Sequence, residues 1–319
     1  MKKSTKNLIK ATGITAGIFG AAGFITFEEI MNKNASLAQR FGSLFVGPSG
    51  LPEDNSVNEE KIAWFYNQVL EEYEITNEKG YKLKGYLLPA EKESDVYVFG
   101  SHGYRGNGRL EFQNMAKFYH DKGYNIFIVD HQAAGESDGK YIGFGYHEYT
   151  DCFRWLDFMR NEFGEDIQII LHGVSMGSAT VMMMTGSGLL PSNVRATVAD
   201  CGFTDGAEFF AYRLRQIKIP AADSIVQTWI KINRRRLGFD LNNIKPVNSV
   251  KNAEIPMLFI HGETDGLVPC FMVYELYEAC GSKDKELLVI ADADHAQSYK
   301  VGKEKYTDRL GAFIDKYVI

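Results

Sequence analysis

Proline is scarce in this sequence, and its cysteines form no motif for metal binding or redox chemistry. Only 8 of the 319 residues are proline and 31 are glycine, which is ordinary for a folded globular chain. No C-x-x-C, H-E-x-x-H or comparable ligand cluster is present, so we expect no metal site. No G-x-G-x-x-G follows a first strand, so we expect no organic cofactor. Four cysteines are interpreted as small buried residues: Cys152, Cys201, Cys270 and Cys280.

An excess of positive charge is also lacking. The chain carries 35 Lys and Arg residues against 41 Asp and Glu, which gives a formal net charge of −6. A nucleic-acid partner is therefore not expected, because nothing offers a strongly basic face. Hydrophobic residues make up 45 % of the chain, so it can bury a large core, and its length allows one or two domains.

The N-terminus combines a basic flank with an apolar run. The flank holds four lysines: Lys2, Lys3, Lys6 and Lys10. An uncharged run then extends from Ala11 to Phe27, at the short end of what can span a bilayer. We interpret residues 1–30 as a signal-anchor that crosses the cell membrane once and leaves the body of the protein outside the cytoplasm. The alternatives are a cleaved signal peptide on a secreted protein and a buried N-terminal helix in a cytoplasmic one.

Two short regions precede the main part of the chain. Residues 31–72 are predicted to form a linker and a packing helix, placed at Glu59–Leu70 by its apolar spacing. Residues 73–319 are predicted to form the main domain. Near its start, Glu72–Thr76 and Tyr81–Leu88 alternate in polarity on either side of a turn, which predicts a β-hairpin.

Beyond Pro89, short apolar strands alternate with longer amphipathic helices. This alternation predicts an α/β fold, a mostly parallel sheet with helices on both faces. The predicted strands are Val96–Gly100, Asn125–Asp130, Ile167–Leu171, Ala196–Ala199, Met257–His261 and Leu287–Ile290. The predicted helices are Arg109–Lys122, His147–Glu162, Met176–Thr185, Cys270–Cys280 and Lys300–Lys316. At about 204–250, two further helices follow each other without a strand, which predicts an excursion from the sheet: Asp205–Arg215 and Ser224–Arg236.

A serine stands where the strand Ile167–Leu171 meets the following helix. The segment Gly173-Val174-Ser175-Met176-Gly177 matches G-x-S-x-G in the strand–turn–helix context that displays a nucleophilic hydroxyl. Glycines on both sides permit a turn too tight for side chains. Ser175 is therefore the candidate nucleophile, and it needs a base to take its proton.

Seven histidines could supply that base, and His295 is the candidate. It lies in a loop of small residues after the last predicted strand, from which it can reach over the carboxyl edge of the sheet. Asp265, in a loop after the preceding strand, is the predicted acid that holds the imidazole. Glu263 and Asp200 are the rival carboxylates.

The oxyanion hole requires two backbone N–H groups. The residue after the nucleophile, Met176, is predicted to supply one. Tyr104, in the loop after the first predicted parallel strand, is predicted to supply the other. Arg105 either borders the pocket or makes a structural ion pair.

The order Ser175, Asp265, His295, with His102-Gly103 upstream, resembles the α/β-hydrolase superfamily from about Tyr73 to the C-terminus. Further similar marks are Asp130 before Gly135-Glu136-Ser137-Asp138-Gly139, although His131-Gln132-Ala133-Ala134 departs from the usual Arg-Gly. The N-terminus and residues 141–146 look like those of bacterial membrane-anchored esterases and oligopeptidase-like hydrolases. The resemblance implies that residues 204–250 form a helical cap over the site. Four aromatic cap residues could line the pocket or fill the cap core: Phe209, Phe210, Tyr212 and Trp229.

These residues indicate a serine hydrolase that cleaves a small-molecule carboxylic ester through an acyl-enzyme. A peptide, amide or thioester is the alternative substrate, because all share a tetrahedral intermediate. A non-catalytic binding protein is the third interpretation, against which the complete set of residues argues.

Overall fold

The computed structural model describes residues 23–35 and 59–318, and a sheet of eight strands lies at its centre. The strand order is β1-β2-β4-β3-β5-β6-β7-β8. The strands are β1 (Glu71–Thr76), β2 (Lys82–Leu88), β3 (Val96–Ser101), β4 (Asn125–Val129), β5 (Gln168–Val174), β6 (Val194–Asp200), β7 (Met257–Gly262) and β8 (Lys285–Ile290). β1 pairs antiparallel with β2, and β2 with β4, whereas all later pairs are parallel. The prediction of a mostly parallel sheet is thus confirmed.

The strand register brings the loops that carry the candidate residues to one edge of the sheet. Val174 at the end of β5 is paired with Asp200 at the end of β6, and Gly262 at the end of β7 with Ile290 at the end of β8. The loops that follow these four strands therefore leave the sheet side by side. They carry Ser175, Asp265 and His295.

Helices cover both faces. They are α1 (residues 23–31), α2 (Glu59–Tyr66), α3 (Gly108–Phe112), α4 (Ala116–Asp121), α5 (Tyr146–Phe163), α6 (Met176–Thr185), α7 (Gly206–Gln216), α8 (Ala222–Arg236), α9 (Pro246–Ser249), α10 (Phe271–Ala279), α11 (Ser298–Val301) and α12 (Lys303–Ile314). Two of the predicted helices are each divided into two shorter helices in the structure. The Arg109–Lys122 prediction breaks into α3 and α4, and the Lys300–Lys316 prediction breaks at Gly302, which lies against Ile290.

Alternate strand residues point to opposite faces, which divides the core into two layers. On one face Val98, Ile128 and Ile170 pack against α2, α3, α4 and α12. On the other, Phe99 and Leu171 pack against α5 and α6. All four cysteines are free thiols, three of them buried and Cys270 partly exposed.

The excursion between β6 and β7 contains α7 and α8, which pack together as a helical cap. Asp205 caps the N-terminus of α7 by accepting a hydrogen bond from the Glu208 N–H at 3.0 Å. Both cap helices bury aromatic residues in one apolar cluster, which also includes Met176 beside the serine.

Helix α1 belongs to the same apolar cluster as the cap. Its residues Phe27 and Met31 are fully buried there. At the end of the predicted membrane run, Gly23 and Phe27 are buried and Phe24 and Ile25 are exposed, whereas residues 1–22 are outside the described part. In 23–35 and 59–318, no helix combines the length and apolar character needed to cross a bilayer.

Candidate active site

Ser175 lies in the sharp turn between β5 and α6. Its backbone has φ 56° and ψ −113°, a conformation outside the helical and extended regions. A Cβ on Gly173 would lie 2.2 Å from Gly177 O, and one on Gly177 would lie 2.0 Å from Ser101 O. Only glycine fits at these two positions, so the turn brings α6 directly against the end of β3.

His295 lies between the serine and the acid. Its Nε2 is 2.8 Å from Ser175 Oγ, and its Nδ1 is 2.7 Å from Asp265 Oδ2. In the tautomer that satisfies both contacts, Nδ1–H donates to the carboxylate and Nε2 accepts from the hydroxyl. The structure thus brings together the three residues that the sequence singled out from three separate loops.

Asp265 is held as an ionised acceptor. Its Oδ1 accepts hydrogen bonds from the N–H groups of Leu267 at 2.9 Å and Val268 at 2.8 Å. Burial alone would raise its pKa, but the charge of His295 and hydrogen bonds from His261 and His295 hold the pKa well below its ordinary value. For His295 burial alone would lower the pKa, yet the charge and hydrogen bond of Asp265 raise it above 6.5.

The rival carboxylates have other surroundings. Asp200 Oδ2 accepts a hydrogen bond from the Tyr306 hydroxyl at 2.9 Å, and burial raises the pKa of Asp200 to about 6. Glu263 is exposed to solvent. Asp265 is therefore the carboxylate that contacts the imidazole.

The two predicted oxyanion donors flank the serine turn. Met176 is the first residue of α6, and an N–H at that position has no partner within its helix. Tyr104 follows Gly103, where an added Cβ would lie 3.3 Å from Ser175 Cβ. Neither residue's side chain is needed for this role, because the donor is the backbone.

Sequence comparison identifies the family of this protein. The profile of the Prolyl oligopeptidase family matches residues 110–318, more than half of the chain. The protein belongs to this family. Its relatives include the uncharacterized protein YqkD of Bacillus subtilis, 29 % identical over 245 residues that cover 76 % of this chain and 78 % of YqkD. Caffeoylshikimate esterase of Arabidopsis thaliana is 24 % identical and covers 66 % of this chain and 74 % of its own.

Solved structures share the fold of this prolyl oligopeptidase family member. An esterase of Pyrococcus furiosus superposes with a TM-score of 0.64 at 24 % identity, covering 82 % of this chain and 94 % of its own. Est1E of Butyrivibrio proteoclasticus, solved with ferulic acid, superposes with a TM-score of 0.59 at 17 % identity. The superposition covers 77 % of this chain and 99 % of Est1E. The shared fold and the family match identify a hydrolase of the α/β-hydrolase superfamily.

The predicted pocket aromatics of this family member lie mainly inside the cap. Phe210 and Trp229 are fully buried, with ring centroids 5.3 Å apart. Phe209 stacks on Phe203 at 5.2 Å, and Tyr212 is partly exposed beside Phe271. Phe210 and Trp229 therefore fill the cap core, which was one of the two roles that the sequence left open.

Three supporting residues escaped the sequence analysis. Asp294 Oδ1 accepts from the N–H groups of His295 at 2.7 Å and Gly266 at 2.8 Å, which ties the histidine loop to the acid loop. His261 Nε2 lies 3.2 Å from Asp265 Oδ2. Glu111 Oε2 accepts from the Gly103 N–H at 3.0 Å. Among these contacts only Asp294–Gly266 joins segments far apart in the sequence, and no local pattern signals any of them.

Proposed function

We propose that this α/β hydrolase is a serine esterase that cleaves carboxylic esters through an acyl-enzyme. The observation that carries the proposal is His295, which lies 2.8 Å from Ser175 Oγ and 2.7 Å from Asp265 Oδ2. His295 takes the proton from the Ser175 hydroxyl as the oxygen attacks the ester carbonyl. The backbone N–H groups of Met176 and Tyr104 stabilise the resulting oxyanion.

The second half of the reaction uses the same residues. His295 gives its proton to the departing alcohol, and the acyl group stays on Ser175. Water, deprotonated by His295, then attacks the acyl-enzyme, and His295 gives that proton to Ser175 Oγ as the acid leaves. Throughout, Asp265 stabilises the imidazolium, consistent with the raised pKa of His295. No step requires a metal or an organic cofactor.

We assign the acyl side of the substrate to the apolar cluster beside the serine. Met176, Phe203 and Phe209 are buried in this cluster. An apolar acyl group gains roughly 25 cal/mol for each square ångström of its surface that it buries there. Phe209 and Tyr212 are the members of the predicted aromatic set that we retain as substrate contacts.

The test compares wild-type protein with Ser175→Ala on a series of p-nitrophenyl esters of increasing chain length. We expect the substitution to lower kcat by about 10⁴-fold or more, because no other group replaces the nucleophile. A fluorophosphonate probe should label wild-type protein and not the variant. Full ester turnover by a folded Ser175→Ala protein would refute the assignment.

Peptide or amide cleavage is the second candidate, and the match to the Prolyl oligopeptidase family favours it. The same acylation and deacylation steps would serve an amide. A panel of aminoacyl p-nitroanilides beside the esters separates the two substrates. An anilide kcat/KM above that of every ester would replace the esterase proposal with a peptidase.

We also propose that the N-terminal segment attaches the protein to the cell membrane, with the catalytic domain outside the cytoplasm. The four lysines before the uncharged run support this orientation. Gly23 and Phe27, at the end of this run, are buried in the protein, whereas Phe24 and Ile25 are exposed. Fractionation and a reporter active only outside the cytoplasm test the proposal. Soluble protein with an intact N-terminus, or an inactive reporter, would contradict it.

A further inference from the structure

The oxyanion loop contains an arginine in a conformation that favours glycine. Arg105 has φ 59°, in the left-handed region, although glycines are available nearby at Gly103 and Gly106. For a residue with a side chain this conformation is sterically unfavourable, because Cβ lies too close to the following carbonyl oxygen. Arg105 directly follows Tyr104, the proposed oxyanion donor. Other contacts must therefore hold this part of the loop in place.

The side chain of Arg105 supplies such contacts. Its Nη2 donates to Glu29 O at 2.8 Å and to Asn32 O at 3.1 Å. Its Nε donates to the Tyr104 hydroxyl at 2.7 Å, and that hydroxyl donates to Ile30 O at 2.6 Å. All three carbonyls lie at the C-terminal end of α1, where a helix leaves carbonyls unpaired and favours positive charge. Arg105 thus makes a helix-capping contact instead of the ion pair considered from the sequence.

Helix α1 is itself fixed to the rest of the protein. Trp229 Nε1 donates to Gly23 O at 2.9 Å, at the start of the helix. Glu28, in the middle, accepts hydrogen bonds from Tyr141 at 3.0 Å and Arg236 at 2.6 Å. Phe27 is buried in the cluster that contains Met176. The helix is therefore a firm support for the Arg105 side chain.

We propose that Arg105 is a positioning residue, which holds the Tyr104 N–H in the oxyanion hole by anchoring the strained loop to α1. The side chain does not touch the substrate; it fixes the backbone that does. The inference rests on the proposed function, since it assigns a support to the oxyanion hole of that reaction. It also makes α1, at the N-terminal side of the domain, part of the catalytic unit.

Two substitutions separate the effect of the Arg105 side-chain hydrogen bonds from the effect of its left-handed backbone conformation. Arg105→Ala removes the hydrogen bonds to α1 and keeps the steric cost of the left-handed backbone. Arg105→Gly removes both the hydrogen bonds to α1 and the steric cost, because glycine adopts positive φ freely. Loss of a whole oxyanion donor costs 10²- to 10³-fold in kcat, so we expect about 10- to 100-fold for Arg105→Ala and a smaller loss for Arg105→Gly.

The measurements are kcat and KM for a p-nitrophenyl ester and the affinity for a trifluoromethyl ketone, which forms a tetrahedral oxyanion adduct with the serine. We expect KM to change little, and ketone affinity to fall in parallel with kcat/KM across both variants. The pH at which kcat/KM falls to half of its maximum on the acid side should stay unchanged, because Asp265 and His295 are intact. Arg154→Ala, which removes an exposed ion pair with Glu78, is the matched control and should keep wild-type kcat.

The outcomes are distinguishable. Wild-type kcat in a folded Arg105→Ala protein, or a lower kcat with unchanged ketone affinity, would overturn the positioning role while leaving the esterase intact. Equal losses in the alanine and glycine variants would overturn the role of backbone strain. A wild-type protein that neither turns over esters nor binds the ketone would refute the proposed function and this inference with it.

Discussion

Ser175 occupies a backbone conformation that costs energy in any L-amino acid. Strain of this kind is worth of order 1–3 kcal/mol and persists only where the surroundings fix the chain. Here the Ser175 N–H donates to Asp200 O at 2.8 Å, and Gly173 and Gly177 let the neighbouring segments approach within van der Waals contact. The display of the nucleophile therefore depends on residues that carry no functional group.

Substitution of Gly177 tests this dependence. A Cβ at Gly177 would meet Ser101 O, a backbone atom that cannot move aside. We expect Gly177→Ala to destabilise the protein by about 3 kcal/mol or more in urea unfolding. Gly123 has φ 80° and open space around its Cα, so Gly123→Ala is the control and should cost about 1 kcal/mol. Equal effects of the two substitutions would show that the close approach does not matter.

The histidine–aspartate pair predicts a pH dependence. His295 accepts a proton from the serine only when neutral, so kcat/KM should fall as the pH decreases through a pKa above 6.5. Asp265→Asn removes the charge that raises this pKa, while burial still lowers it, so the acid limb should move to lower pH. In a serine protease triad the equivalent change lowers kcat about 10⁴-fold, and we expect a similar loss. If the decrease of kcat/KM at low pH has the same midpoint in Asp265→Asn as in the wild type, the contact between Asp265 and His295 does not set the pKa of the histidine.

At the scale of elements, the strands were the most predictable part. Buried parallel strands are short apolar runs, and the runs near Val98, Ile170 and Phe259 were placed to within a few residues of their ends. The proximity of the three proposed triad residues was predictable for a related reason. Each of its residues follows a strand end, and the carboxyl ends of parallel strands meet at one edge.

Elements defined by tertiary contacts were harder to predict. Helix α1 begins in the uncharged run, whose composition also suits a membrane segment, and continues through Glu28 and Glu29. Its packing on Trp229 shows that this end of the run lies against the cap. Glu111 and Asp294 likewise gain their roles from backbone N–H groups outside their own segments, those of Gly103 and Gly266. Polar residues in such positions look like ordinary surface residues in the sequence.

The contact between α1 and α8 can be tested at Trp229. The ring is fully buried, and its Nε1 donates to Gly23 O at 2.9 Å. We expect Trp229→Ala to cost about 3–5 kcal/mol in thermal or urea unfolding, from lost burial and the cavity left behind. Trp229→Phe keeps most of the ring, and its smaller cost would isolate the hydrogen bond. A near-wild-type stability for Trp229→Ala would mean that the cap does not depend on this contact.

At the scale of the whole molecule, the site draws on segments from both ends of the described chain. The apolar cluster beside the serine unites α1, the cap and the first turn of α6, while the histidine comes from the loop before α11. A catalytic unit that begins only at the sheet would lack the support of the oxyanion loop. For the proposed reaction, we infer that the catalytic unit extends further toward the N-terminus than the sheet itself.

Two N-terminal truncations locate that boundary. Removal of residues 1–22 leaves the described contacts of α1 with Trp229 and Arg105 in place, so we expect kcat within about twofold of the full chain. Removal of residues 1–33 deletes α1, uncovers the apolar surface beneath Phe27 and leaves Arg105 without its carbonyl partners. We expect this shorter protein to lose stability in urea unfolding and at least about 10-fold in kcat, because the oxyanion loop loses its anchor. Equal stability and kcat for the two truncations would place α1 outside the catalytic unit.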